Sequence, residues 1–355
     1  MPNNTIINSD LKPENCNQGN LSNCYLISSI SALAEFPQVI KRLFNTQTNS
    51  HLGMYSVNLN ADGVFKEIIV DGMVPVEYNR PKFCHSTEAA NCLWPILLEK
   101  AYAKHYGGYW NIGGAGAATR ALKDLTGAPT EFLKTGDKSA DELFDAIVQA
   151  DRQNFIMVVP THHDASKVDT SQGLIAMHAY TCISALELDG TKVVKLRNPH
   201  GKGEWKGAWS DKSSRWTPEL RAQVGLSDAV DGTFFMPLDD LKRNFVELAI
   251  CKYIPSNILS QLPIETQEMD GRKAWKIHVG EAGEYYIGLG QPDVRHVGVE
   301  KLLFTSLILF KVDDQDTPIE YAGGMFYSER DPSFKTNLSK GTYILVVRVK
   351  SHFCG

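Results

Sequence analysis

The residues best suited to chemistry lie at the start of a predicted helix. Cys24 follows Gln18 by six positions in the segment QGNLSNCYLISSI. A thiol at a helix N-terminus faces unpaired backbone N–H groups and the positive end of the helix dipole, and both favour the thiolate. The side-chain amide of Gln18 could donate a hydrogen bond to an oxyanion that forms beside the sulfur. This pattern predicts a nucleophile, although an isolated cysteine of this kind is more often a buried structural residue.

A histidine and an asparagine farther along the chain could serve this thiol. His178 opens a predicted strand, Asn198 follows a second one, and residues 189–190 form an Asp-Gly hairpin signal between them. The start of one hairpin strand lies beside the end of the other, so we expect the imidazole and the carboxamide to be neighbours. The imidazole could then accept and return the thiol proton while the amide oxygen orients the ring. His162 and His163 are competing histidines in a polar loop.

The secondary structure that must position these residues is predicted to change along the chain, from mostly helices to mostly strands. Helical periodicity predicts the nucleophile helix from Ser22 or Asn23 to Phe36. Further helices are predicted over 94–106, 117–125, 140–150 and 238–244. Strands are predicted over 54–59, 64–70, 155–159, 178–188, 192–196 and 246–253. We therefore expect an α+β core in which a mostly helical half and a mostly antiparallel half meet at a cleft.

Composition and charge exclude several classes of function. A net charge of −5 gives no support for a nucleic-acid partner, and no apolar run approaches the roughly 20 residues that span a bilayer. The first residues have neither the basic nor the apolar region of a secretory signal. Seven scattered cysteines, without a CxxC or HExxH motif, indicate free thiols and no structural zinc. These features predict a cytoplasmic protein.

Six segments of the sequence are informative because of the order in which they occur. They are QGNLSNCYLISSISAL, LLEKAYAKHYGGY, GGAGAATRALKDLTG, GLIAMHAYTCISALEL, LRNPHGKGEWKGAWSDKSSRW and DGTFFMPLDDLKRNFVELAICKY. In this order they resemble the calpain family of cysteine proteases over about residues 13–253. The resemblance implies a papain-like fold with two subdomains, residues 1–127 and 128–254. Residues 255–270 are then predicted to be a linker, and the β-rich segments of 271–355 a small β-sandwich in the place of the family's C2-like domain.

The resemblance also implies a role for each candidate residue. Cys24 is the nucleophile, His178 the general base and acid, and Asn198 the orienting residue. Gln18 forms the oxyanion hole together with the backbone N–H of Cys24. The implied activity is that of an intracellular endopeptidase, which cleaves protein substrates through an acyl-enzyme intermediate. By analogy with the family, the β-sandwich is expected to contact lipid or a regulatory partner.

Calpain cores bind two calcium ions, and the match to these sites is uneven. At the first site, Asn15 and Cys92 stand where the family has carboxylates, and calcium prefers several anionic oxygens. At the second site three acids are retained, Glu204, Asp211 and Asp231, while Thr233 replaces a glutamate. We expect calcium binding at the second site only, and no other cofactor. The alternative is that these three acids are a solvated loop face.

Two departures from the family pattern lie close to the predicted triad. Tyr25 and His200 replace the tryptophans that follow the family's cysteine and asparagine–proline pair. A histidine is smaller than tryptophan and titrates near neutral pH. These changes keep a rival hypothesis open, namely a catalytically weak or inactive calpain-like scaffold that binds protein partners. A third reading, another thiol acyltransferase on a papain-like frame, is disfavoured by the calpain-like segments.

Overall fold

A computed structural model of the chain describes residues 6, 11–46, 50–60, 63–86, 92–114, 116–226, 229–261, 270–292, 303–327 and 330–350. The chain divides into two compact units, of which unit 1 is Met1–Asn60 with Lys66–Leu259 and unit 2 is Ala61–Phe65 with Ser260–Gly355. Unit 1 combines helices with an antiparallel sheet and unit 2 is built of strands, so the predicted α+β class with a C-terminal β domain is confirmed. The predicted boundary at residues 127 and 128 stays a prediction.

Helix α1 (Cys24–Ala34) is surrounded by protein on all sides. Its residues from Tyr25 onward are all buried, which requires that its polar side chains find partners inside the protein. The hydroxyl of Ser29 donates to the carbonyl oxygen of Tyr25 at 2.7 Å, and the hydroxyl of Ser31 donates to that of Pro13 at 3.3 Å. The helix that begins at the candidate nucleophile is therefore a central element of the core.

The chain continues directly into a second helix that the sequence did not predict. Helix α2 (Pro37–Leu43) begins at the proline that was expected only to stop the first helix near Phe36. Proline fits the first turn of a helix because its missing N–H would be unpaired there in any case. The remaining helices of unit 1 are α3 (Trp94–His105), α4 (Tyr109–Ile112), α5 (Ala118–Thr126), α6 (Ala140–Arg152), α7 (Pro218–Val224) and α8 (Leu238–Asn244).

An antiparallel sheet of six strands forms the other half of unit 1. Its strands are β5 (Thr130–Lys134), β6 (Ile156–Pro160), β7 (Ala179–Leu188), β8 (Thr191–Arg197), β9 (Thr233–Pro237) and β10 (Glu247–Cys251), after the hairpins β1 (Met54–Leu59) with β2 (Lys66–Asp71) and β3 (Val76–Glu77) with β4 (Arg80–Pro81). The order in the sheet is β5-β10-β6-β7-β8-β9. The hydroxyl of Thr181 on β7 donates to the carbonyl oxygen of Ser28 at 2.9 Å, which ties the sheet to α1.

Hydrophobic packing behind β7 and β8 fixes the part of the sheet that carries the candidate base. Tyr180 is fully buried and makes edge-on ring contacts with Phe234 and Phe245. Leu143 and Ile147 of α6 belong to the same core. Such close packing resists displacement of the strand ends, because interiors are as dense as organic crystals.

Unit 2 consists of two antiparallel sheets. The larger contains β11 (Asp270–Val279), β16 (Gly341–Lys350), β13 (Phe304–Val312) and β14 (Pro318–Tyr327) in that order, and the smaller pairs β12 (Gly283–Gly288) with β15 (Ser333–Leu338). Leu309 and Tyr343 of the larger sheet share a hydrophobic cluster with Leu338 of the smaller. Half of the predicted linker, residues 262–269, lies outside the described residues. Within the described part of the chain, no helix is long and apolar enough to cross a membrane.

Candidate active site

Cys24 is the first residue of α1, and the residue before it is held by the core. Asn23 does not cap the helix with its own side chain. Its Nδ2 instead donates to Oε1 of the buried Glu99 at 2.8 Å, while the backbone N–H of Cys84 donates to Oε2 at 3.0 Å. Burial raises the pKa of Glu99 from its ordinary value of 4.5 to about 7, against the opposing effect of these two donors. A carboxyl group inside α3 thus fixes where the nucleophile helix begins.

The ionisation of Cys24 differs from the sequence-based expectation. Its Sγ contacts the carbonyl oxygen of Met177 at 3.9 Å. Burial raises the pKa of the thiol, and the backbone N–H groups of Ala179, Tyr25 and Cys24 itself lower it by less. The helix start does favour the thiolate, as predicted, but loss of water around the sulfur outweighs it. Burial therefore favours the neutral thiol of Cys24 over the thiolate.

His178 and Asn198 lie together at the end of the β7–β8 hairpin. Thr181 of β7 is in register with Arg197 of β8, so His178, just before β7, lies beside Asn198, just after β8. A hydrogen bond of 2.9 Å joins the His178 Nε2 to the Asn198 Oδ1. Burial lowers the pKa of His178 to about 4, although the bond to Asn198 opposes this shift. The proximity that the hairpin signal predicted is observed.

The carboxamide of Asn198 is locked in the orientation that presents its oxygen to the imidazole. Its Nδ2 donates to the carbonyl oxygen of Gly203 at 2.9 Å, and its backbone N–H donates to that of Gly232 at 2.8 Å. The backbone N–H of His200 donates to the Asn198 Oδ1 at 3.0 Å. Because the nitrogen and the oxygen of the amide each have a fixed partner, the ring of His178 is held by a rigid acceptor.

Gln18 lines a cavity beside Cys24 and His178. Its Nε2 donates one proton to the carbonyl oxygen of Leu21 at 2.7 Å, and its backbone N–H donates to that of Pro199 at 2.8 Å. A primary amide carries two N–H donors, so one remains for an oxyanion. The cavity has a volume of about 250 Å³, and Gln18, Cys24, Met177, His178 and His200 are among the residues that line it.

Two further features of this cavity were not found from the sequence. Met177 has a φ of 52°, a left-handed conformation that residues other than glycine seldom adopt. Met177 immediately precedes His178 in the chain, and its carbonyl oxygen contacts the Cys24 sulfur. The ring of His200 lies parallel to that of His178, with centroids 4.6 Å apart and planes inclined by 4°. The sequence marked His200 only as a departure from the family pattern.

A buried arginine links the segment before Gln18 to the strand that ends at Asn198. The Nη1 of Arg197 donates to the carbonyl oxygen of Cys16 at 3.2 Å and to the hydroxyl of Ser31 at 2.9 Å, and its Nη2 donates to the Asn17 Oδ1 at 3.0 Å. The arginine is fully buried. It thereby holds the predicted oxyanion-hole segment, α1 and β8 in fixed relation. No sequence signal distinguished it from an ordinary basic residue on a strand.

The structure brings Gln18, Cys24 and His178 around one cavity, with Asn198 behind the imidazole. In the part of the chain that the structure describes, no hydrogen bond joins the Cys24 sulfur to the imidazole, because the thiol faces Met177 instead. Cys24, Met177 and His178 all line the same cavity.

Two of the three acids expected to hold calcium, Glu204 and Asp231, already accept hydrogen bonds from the protein backbone, and the third, Asp211, is buried. The Glu204 Oε1 accepts from the backbone N–H groups of Asp231 and Gly232 at 3.1 and 2.9 Å, and the Asp231 Oδ1 accepts from that of Thr233 at 2.8 Å. Among the described residues, no three His, Cys, Asp or Glu side chains are grouped as metal ligands. This donor set does not fit a preformed calcium site.

The chain is similar to a family of known proteins. The family model described as calpain family cysteine protease matches residues 1–252. The chain is 29% identical over 289 residues to Calpain-A of Drosophila melanogaster, covering 77% of this chain and 34% of that protein. It is 30% identical over 285 residues to the Calpain-2 catalytic subunit of Rattus norvegicus, covering 77% of this chain and 39% of the relative.

The Calpain-1 catalytic subunit of Macaca fascicularis gives a similar result, with 30% identity over 271 residues that cover 72% of this chain and 37% of that protein. The chain thus spans little more than a third of the length of these relatives. The matched residues 1–252 include Gln18, Cys24 and His178, which line the cavity, and Asn198, which is hydrogen-bonded to His178.

Proposed function

Because the chain belongs to the calpain family of cysteine proteases, we propose that it cleaves peptide bonds in protein substrates with four catalytic residues, Gln18, Cys24, His178 and Asn198. The observation that carries the proposal is the 2.9 Å hydrogen bond between His178 and Asn198 beside the cavity that exposes Cys24. An imidazole oriented in this way is suited to take the proton of a neighbouring thiol.

Acylation begins when the Cys24 thiol turns from the Met177 carbonyl oxygen towards the second ring nitrogen of His178. The imidazole takes the thiol proton, and the sulfur forms a bond to the substrate carbonyl carbon. The negative charge that develops on the carbonyl oxygen is stabilised by the free Nε2 proton of Gln18 and by the backbone N–H of Cys24. The carbon–nitrogen bond then breaks, and the imidazolium returns its proton to the leaving amine.

Deacylation uses the same groups in the opposite sense. His178 takes a proton from water, whose oxygen attacks the thioester carbon while Gln18 again stabilises the oxyanion. The carbon–sulfur bond breaks, the carboxylic acid leaves, and the proton on the imidazole restores the thiol. Asn198 keeps the ring in one orientation throughout both half-reactions.

The ionisation of the site favours a thiol that is activated only when substrate is present. Burial raises the pKa of Cys24 and lowers that of His178, so it favours the neutral form of both groups and opposes proton transfer between them. Substrate binding would favour the transfer by placing the carbonyl against the oxyanion donors.

The second candidate is the calpain-like scaffold that binds protein partners without turnover. It is favoured by one observation, the contact of the Cys24 sulfur with the Met177 carbonyl oxygen in place of the imidazole. A scaffold has no need of a rotating thiol, whereas a protease requires it to leave Met177. Turnover therefore distinguishes the two candidates.

The test is hydrolysis of casein and of fluorogenic peptides by wild type, Cys24→Ala and the matched control Cys182→Ala, whose thiol is buried in the core behind the site. We expect cleavage by wild type and by Cys182→Ala and none by Cys24→Ala. Cleavage that survives in Cys24→Ala would exclude the proposed nucleophile. Binding of casein without any cleavage by wild type would favour the scaffold.

A further inference from the structure

Two histidine rings lie face to face in the candidate active site, and the proposed reaction uses only one of them. His200 stacks on His178 with 4.6 Å between ring centroids and 4° between ring planes. Its backbone N–H donates to the Asn198 Oδ1 at 3.0 Å, the same oxygen that accepts from His178 at 2.9 Å. His200 is therefore coupled to His178 in two ways: the two rings stack, and both residues donate to the same Asn198 oxygen.

The ring of His200 also lies near the oxyanion-hole segment. Burial lowers the pKa of His200, the nearby backbone carbonyl of Gln18 opposes this shift, and the charge of Lys202 adds to it. The other titratable groups that face it are His178, on the opposite side of the stack, and the Cys24 thiol across the cavity. A positive charge on His200 would therefore interact electrostatically with both His178 and Cys24.

Two positive charges cannot easily coexist on rings at this distance. The repulsion of unit charges 4.6 Å apart is substantial where water is excluded. The first proton should go to the ring with the better environment for a cation. His178 is only 4% exposed, whereas His200 is half-buried and lies near the backbone carbonyl of Gln18. These differences favour His200 as the ring that is charged first.

We propose that His200 is a positioning residue that holds the imidazole of His178 against Asn198 by stacking and takes the first proton of the stacked pair as the pH falls. Neutral His200 leaves His178 able to accept the Cys24 proton. Protonated His200 opposes the imidazolium that this transfer creates, so the site loses activity in acid through His200 before His178 itself is protonated. This inference rests on the proposed function for its consequence, but the order of protonation is a property of the free protein.

The experiment is an NMR titration of the imidazole ring protons in wild type, His200→Phe, His200→Gln and the control His163→Phe, in which an exposed loop histidine is removed. Phenylalanine keeps a stacked ring and glutamine keeps a hydrogen-bond donor, and neither takes up a proton. We expect His200 to reach half-protonation at higher pH than His178 in wild type. The midpoint of His178 should rise by about one pH unit in both His200 variants and stay unchanged in His163→Phe.

A second readout connects the titration to the sulfur without requiring peptide turnover. The rate of Cys24 alkylation by iodoacetamide, measured from pH 5 to 8, should fall in acid more steeply in wild type than in His200→Phe and His200→Gln. Protonation of His178 before His200, or a His178 midpoint that is the same in wild type and both variants, would overturn the proposal. If peptide cleavage were absent but these titrations behaved as expected, the proposed function would fail while the coupling of the rings stood.

Discussion

Asn23 donates from Nδ2 to the Glu99 Oε1 across 2.8 Å in the core, immediately before the candidate nucleophile. Glu99 is 1% exposed, and the backbone N–H of Cys84 is its other donor. A buried carboxyl group that contacts the residue before α1, and whose pKa burial raises to about 7, makes the stability of this region depend on pH.

Glu99→Gln should remove part of the pH dependence of unfolding. The pKa of Glu99 rises from 4.5 in the unfolded chain to about 7 in the folded protein, so the folded state binds the proton more tightly. Its stabilising contribution is complete below pH 4.5 and is lost as the pH rises through 7. Between these values the unfolding free energy of wild type should fall relative to Glu99→Gln by a few kcal/mol, at about 1.4 kcal/mol per pKa unit.

Urea unfolding of both proteins between pH 4.5 and 8 measures this difference. Glu187→Gln, which removes a carboxyl group from an exposed site, is the matched control. A wild-type minus Glu99→Gln difference that is constant over this range would show that folding does not raise the pKa of Glu99.

Asn198→Ala should reduce hydrolysis because the imidazole of His178 loses its fixed acceptor. The expected loss in kcat/KM is roughly tenfold to a hundredfold, which is part of the usual contribution of general acid–base catalysis. The exposed Asn257→Ala serves as the control for loss of an amide. Wild-type rates in a folded Asn198→Ala would contradict the orienting role.

Gln18→Ala should lower kcat and leave KM nearly unchanged, since the oxyanion exists only in the transition state. Removal of one such donor typically costs about 10²- to 10³-fold in kcat. Steady-state kinetics of Gln18→Ala beside the exposed Gln153→Ala test this expectation. A rise in KM alone would mean that Gln18 contacts the bound substrate and not the developing charge.

Calcium should have a small effect on activity, of about twofold or less, because the Glu204 carboxylate already accepts two backbone N–H groups. Hydrolysis in millimolar calcium and in a calcium chelator gives this ratio directly. A steep and cooperative requirement for the ion would contradict the expectation and would indicate that the loop around Asp231 rearranges to bind it.

Local sequence signals predicted the part of the site that depends on local geometry. An Asp-Gly turn sets the register of β7 against β8, and this register alone brings His178 beside Asn198. Cap residues and helical periodicity predicted that a helix begins at Ser22 or Asn23, one or two residues before the observed start of α1 at Cys24. These relationships join residues close in the chain or paired through one turn, so they can be inferred without the tertiary fold.

The remaining features depend on packing between distant segments. Burial raises the pKa of the Cys24 thiol, and no sequence pattern around residue 24 reveals which residues bury it. The stacking of His200, the clamp of Arg197 on Cys16 and Asn17, and the insertion of β10 between β5 and β6 all join parts of the chain that only the tertiary fold brings together.

The most direct test of the central claim is covalent labelling with a peptide-based epoxide that reacts with active-site thiols, followed by intact-mass measurement and peptide mapping. We expect one adduct per molecule, located at Cys24 among the seven cysteines, and loss of hydrolysis in proportion to labelling. Hydrolysis that persists after Cys24 is fully labelled, or an inactivating adduct on a different cysteine, would contradict Cys24 as the nucleophile.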